Sequence, residues 1–103
     1  MKDSVLSFLG LAAKAGRLIY GSEAGSNAAR SRRAKLVIVA CDAADNTKKL
    51  MQNKCASNNI PLCEYADIES LSKAVGKGAV SVVSVSDEGF AKAIFKKIDV
   101  SHK

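Results

Sequence analysis

At 103 residues the chain has room for one domain, read as residues 1–103, and with 48% hydrophobic residues and a single proline it can bury a core and lacks the composition of a disordered segment. Sixteen Lys and Arg against ten Asp and Glu give a formal charge of +6, which favours a polyanionic partner. No stretch has the length of a membrane span or the layout of a signal peptide, so a soluble, cytoplasmic protein without membrane contact is expected.

Residues 3–15 place Val5, Phe8, Leu9, Ala12 and Ala13 on one stripe at helical spacing. Asp3 or Ser4 can cap its first turn, and Gly16 can close the last in a left-handed conformation. Residues 17–20 read as a short strand ended by Gly21. A helix then runs from Ser22, as N-cap, to about Arg32, although Gly25 in its interior costs about 1 kcal/mol relative to alanine. Arg30, Ser31, Arg32 and Arg33 close it, with cations at the negative end of the helix dipole.

Residues 35–41 contain Leu36, Val37, Ile38, Val39 and Ala40, a run too short for a helix and β-branched at its centre. It reads as a strand buried on both faces. Asp45 caps a helix to about Ser57 with Leu50, Met51, Lys54 and Cys55 inward, after which Asn58 and Asn59 turn the chain. Residues 60–65 form a strand with Pro61 near its start, where a missing N–H is tolerated.

Asp67 caps a short helix carrying Ile68, Leu71, Ala74 and Val75. Gly76, Lys77 and Gly78 make a basic turn, residues 79–85 a fourth strand, and Ser86 or Asp87 opens a last helix that buries Phe90, Ala93, Ile94 and Ile98. Helices alternating with strands imply the α/β class, a three-layer α/β/α sandwich. Because a helix precedes the brief first strand, the expected sheet is mixed, with four strands or slightly more.

Chemistry finds few footholds. Cys41, Cys55 and Cys63 are odd in number and contain no C-x-x-C pair, so reduced, packed thiols are expected in place of disulfides or zinc. His102, the only histidine, lies too near the C-terminus to be held as an acid, a base or a metal ligand. Cys41 therefore has no base to activate it. Asp42 and Asp45 follow one strand and could hold Mg²⁺, but no phosphate loop accompanies them. Gly10, Gly16 and Gly21 do not have dinucleotide-fingerprint spacing. Neither an enzyme nor a cofactor is expected.

Several segments, in order, carry a resemblance: Leu9 to Gly16, Tyr20 to Glu23, Ala34 to Ala40 followed by Asp42 to Lys48, and Leu71 to Gly76. Together they resemble the ribosomal protein L-seven-Ae family of kink-turn RNA binders, most closely its bacterial YlxQ-like branch, from about Leu6 to Ile94. The resemblance implies a non-enzymatic α/β/α sandwich that grips a sharply bent RNA internal loop, a bulge followed by tandem sheared G·A pairs. One gripping element corresponds to Gly21, Ser22, Glu23, Ala24 and Asn27, and the other to Val75, Gly76, Lys77, Gly78, Ala79 and Val80.

Backbone N–H groups at a helix start can meet a phosphate or a base edge, and apolar Val75 and Ala79 can support an unstacked base. Arg17, Arg32, Arg33, Lys35 and Lys77 would supply the salt-sensitive phosphate contacts. On this resemblance the partner is structured RNA, ribosomal RNA among the candidates, bound by a ribosome-associated monomer; no DNA partner is expected. Ala24 stands where the family has an acidic or amide side chain, and Asn27 where it has lysine. That motivates the competing reading, a protein-interaction or ribosome-associated scaffold with weak, non-specific RNA binding. Gly21→Val is expected to block backbone approach and leave the fold largely intact.

Overall fold

The computed structural model describes residues 3–101 of the chain; the expectation for His102 lies outside them. Five helices, α1 (Ser4–Lys14), α2 (Ser22–Arg30), α3 (Asp45–Ser57), α4 (Ile68–Val75) and α5 (Glu88–Ser101), alternate with four strands, β1 (Leu18–Tyr20), β2 (Leu36–Val39), β3 (Leu62–Glu64) and β4 (Val82–Val85). The sheet has the order β1-β4-β2-β3. β4 runs antiparallel to both β1 and β2, and β2 and β3 are parallel, so the sheet is mixed as the sequence leads one to expect.

The two central strands are buried throughout, at Leu36–Val39 and at Val82–Val85. Cross-strand partners share a face, so Val37 and Val39 join Ser84 and Val82, while Leu36 and Ile38 join Val85 and Val83. α2 and α3 pack together over the first face, and α1, α4 and α5 over the second. This is the three-layer sandwich. No described helix is long and apolar enough to cross a membrane.

Helix starts depart from expectation in detail. Asp3 caps α1 by accepting from the Val5 and Leu6 N–H groups, and Asp67 caps α4 through Ser70 N–H. Ser22 and Asp45, expected as caps, are instead first helical residues: Gly21 and Ala44 occupy the cap positions, and neither helix has a side-chain cap bond. α3 presents only Met51 and Cys55 to the core; Leu50 is 38% exposed. α2 stops at Arg30, and Arg32 takes a positive φ of 62° that turns the chain toward β2.

Gly25 has a packing reason. A Cβ there would meet Met51 Cε and Ser84 Oγ at 3.2 Å and Val82 Cγ1 at 3.4 Å. The missing side chain lets α2 lie close against both the sheet and α3, which offsets the helix-propensity loss of about 1 kcal/mol.

Candidate nucleic-acid interface

β1 ends at Tyr20, paired with Val83, and the ladder continues one step further: Gly21 N–H donates to the Val82 carbonyl at 3.0 Å. Gly21 adopts φ 95° and ψ 162°, a conformation open to glycine and strained for L side chains. This sharp change of direction launches α2 from the sheet, and the Gly21 carbonyl accepts the first helical bond, from Gly25 N–H at 3.0 Å. The N–H groups of the first turn have no helical acceptor, which leaves a helix start suited to anionic or base-edge acceptors.

Around this start Ser22 and Ala24 are half-buried, while Glu23 and Asn27 are exposed. Nothing lies within 4 Å of where a Gly21 Cβ would be, so the backbone there is open to approach. Asn27 Oδ1 accepts from the Arg30 guanidinium at 2.6 Å. Where the resemblance leads one to expect a lysine, Asn27 is thus engaged with Arg30.

The second element follows α4. Gly76 closes that helix in the left-handed region, φ 72°, and two bonds to Ser72 shape the chain beyond it. Lys77 N–H donates to the Ser72 carbonyl at 3.1 Å, and Val80 N–H donates to the Ser72 hydroxyl at 2.8 Å, while that hydroxyl donates to the Ile68 carbonyl at 2.6 Å. Gly78 and Ala79 are exposed at the tip. Val75 and Val80 are each only 7% exposed. Their side chains belong to the core, which corrects the expectation that Val75 supports a base and leaves Ala79 as the apolar surface.

The two elements meet. Val80 lies two residues before Val82, the partner of Gly21, and the Lys77 ammonium sits 4.9 Å from the centroid of the Tyr20 ring. Beside them runs an open groove lined by Leu11, Lys14, Leu18, Tyr20, Lys73 and Lys77, among others. Burial pushes the Tyr20 hydroxyl pKa upward, keeping it a neutral hydrogen-bonding group near pH 7. Tyr20, Ser72 and the lysines Lys14 and Lys73 lie in the segments that carry the resemblance but had no role assigned from the sequence; the packing of α1 and α4 beside β1 places them here.

Arg32, Arg33 and Lys35 do not join this surface. They follow the C-terminus of α2, the opposite end from Gly21. Arg17 is also remote, at the far end of β1, where its carbonyl accepts from Ser86 N–H.

Asp42, considered as a cation ligand, accepts from Ile68 N–H at 2.8 Å and so ties the β2–α3 turn to α4. Among the described residues no group of three or more His, Cys, Asp or Glu is placed to hold a metal ion.

The profile of the Ribosomal protein L7Ae/L30e/S12e/Gadd45 family matches residues 3–95. The chain belongs to this family. Among family relatives, the RNA-binding protein YlxQ of Bacillus subtilis (strain 168) is 37% identical over 94 residues, 88% of this chain and 91% of the relative. The RNA-binding protein YlxQ of Enterococcus faecium is 35% identical over 91 residues, 88% of this chain and 87% of that one.

A solved protein of unknown function from Bacillus halodurans C superposes with a TM-score of 0.93 at 37% identity, covering 95% of this chain and 99% of its own. The Giardia lamblia 15.5kD RNA binding protein, at 18% identity, shares the fold with a TM-score of 0.78 over 97% of this chain and 92% of its own.

Proposed function

We propose that the protein binds structured RNA of the kink-turn kind through the start of α2 and the loop from Val75 to Val80. The observation that carries this reading is the meeting of those two segments at Gly21, Val82, Tyr20 and Lys77. The resemblance implies a helix start that meets paired bases and a neighbouring support for a splayed base, roles that backbone N–H groups and apolar or cationic side chains can fill. Gly21 to Glu23 offer the first, and Ala79 with Lys77 the second. Family membership and the names of its YlxQ relatives support RNA as the partner.

In this reading the protein works as one domain and as a monomer, in the cytoplasm and in association with ribosomes, without catalysis, cofactor or DNA partner. The test is a titration against a kink-turn RNA and a same-length duplex lacking the bulge and G·A pairs, at two salt concentrations. A kink-turn preference that survives the higher salt supports specific recognition. Equal binding that vanishes with salt overturns it. The scaffold reading then takes its place, favoured by Ala24 and by the engagement of Asn27 with Arg30.

A further inference from the structure

All four arginines of the chain, Arg17, Arg30, Arg32 and Arg33, fall between residues 17 and 33. The fold gathers them with Lys35 at the end of the sheet remote from Gly21. Leu18, Val85 and Leu36 stand level across β1, β4 and β2. One step beyond them, the Arg17 carbonyl accepts from Ser86 N–H at 2.9 Å and from its hydroxyl at 3.0 Å, while Lys35 N–H donates to the Val85 carbonyl at 2.7 Å. Arg17 and Lys35 thus lie two strands apart, about 10 Å. α2 delivers Arg30 to this end in its last turn, and bonds from Arg32 N–H to the Ala29 carbonyl and from Arg33 N–H to the Ala28 carbonyl fold the chain back against the helix end.

All five cationic residues are exposed. The ion pairs found among the described residues, Lys48 with Glu64 and Lys92 with Glu88, use none of them. Asp87, which follows Ser86, accepts from Phe90 N–H, and Glu88 is shared between Lys92 and the groove that Lys35 also lines. Positive charge is therefore little compensated here. α2 separates this pole from Gly21 by nine residues, about 14 Å, more than the screening length of about 8 Å at physiological salt. A phosphate held at one end neither fills nor neutralises the other.

We propose that this arginine pole is a separate RNA surface that takes the phosphate backbone of a base-paired segment, so that one molecule bridges two RNA segments. Guanidinium groups present planar forks that match phosphate oxygens. The exposed ring of Phe95 lines the groove beside Lys35, but none of the four arginines lines that groove or takes part in the cation–ring contacts found among the described residues, which favours a duplex held by its phosphates over a single strand held by stacking. The inference rests on the kink-turn reading only for what occupies the other end.

The experiment mixes the full chain with a labelled kink-turn RNA and a differently labelled plain RNA duplex, and follows the three-component complex by mobility shift. Wild type is expected to carry both. Arg32→Gln/Arg33→Gln should weaken duplex capture about tenfold and lower its salt slope by about two, with kink-turn affinity nearly unchanged. Arg17→Gln, on another element, should weaken duplex capture in the same direction, which guards against a local folding defect. Duplex capture lost in these variants without any kink-turn preference in wild type supports the pole and defeats the kink-turn reading. Displacement of the kink-turn RNA by the duplex overturns the inference, as does duplex affinity unchanged by all three substitutions. Polyglutamate capture as tight as duplex capture also overturns it, because the surface then selects charge and not a nucleic-acid backbone.

Discussion

The ammonium group of Lys77 lies over the ring of Tyr20, 4.9 Å from its centroid, so the loop after α4 is fastened to the last residue of β1. An exposed cation over a half-buried ring contributes about 0.5–1 kcal/mol and leaves the ammonium free to meet phosphate on its other side. Lys77→Ala is therefore expected to lower stability by no more than about 1 kcal/mol and to reduce the salt slope of RNA binding by about one. Salt titrations of wild type and variant check this; an unchanged slope places Lys77 off the RNA.

Ser72 holds the same loop from within. Replacing it by alanine strands the buried Val80 N–H, which now bonds the Ser72 hydroxyl at 2.8 Å. Ser72→Ala should cost about 1–3 kcal/mol and weaken kink-turn binding through a looser loop. Amide hydrogen exchange would show lost protection at Val80 while β2 stays protected.

Gly21→Val no longer counts as innocent to the fold. With φ at 95°, a β-branched residue there is strained by about 1–3 kcal/mol even though the space around it is open. Both stability and RNA affinity should fall, and denaturant unfolding run beside the binding titration separates the two. A variant as stable as wild type would contradict the backbone conformation described for Gly21.

Burial pushes the Cys55 thiol pKa from 9.0 to about 11. The unfolded chain ionises first, so the stability this thiol contributes is fully present below pH 9 and is lost as pH rises to about 11. The loss is on the order of 2–3 kcal/mol, and Cys55→Ala should show a shallower alkaline decline. In the native protein a thiol reagent should modify exposed Cys41 first and reach Cys55 only on unfolding.

Ser84 carries a buried hydroxyl with no hydrogen-bond partner among the described residues, on the sheet face beneath Gly25. Ser84→Ala should raise stability by about 1 kcal/mol, because it removes a desolvated polar atom at little cost in volume. Thermal unfolding checks the sign, and a lower midpoint would mean that the hydroxyl is satisfied in solution.

Much of the fold was legible because it rests on local rules. The apolar run Leu36–Val39 read as a strand buried on both faces, residues 79–85 read as a strand that the structure shortens to Val82–Val85, and Asp67 and the pair Asp3 or Ser4 announced helix starts. What local rules could not supply was depth. Leu50 was expected to face inward and Val75 to support a base, yet Leu50 is exposed and Val75 buried, because what covers a residue is decided by elements distant in sequence. The two segments of the candidate site came from the resemblance, while charge alone added Arg32, Arg33 and Lys35 to them. The direction of α2 sends them to the other end, and that direction follows from strand pairing. Gly25 looked like a flaw in a helix until Met51 and Ser84 were seen beside it.

The strand order carries a consequence for biosynthesis. β4 sits between β1 and β2, so a strand in the middle of the sheet is the last of the four to be made. Until Val82–Val85 leave the ribosome, β1 has no neighbour, Gly21 lacks its Val82 carbonyl, and α2 has no floor to stand on. The helices α1 and α2 can form before β4, but the surface around Gly21 is assembled only once that strand has been made and has paired.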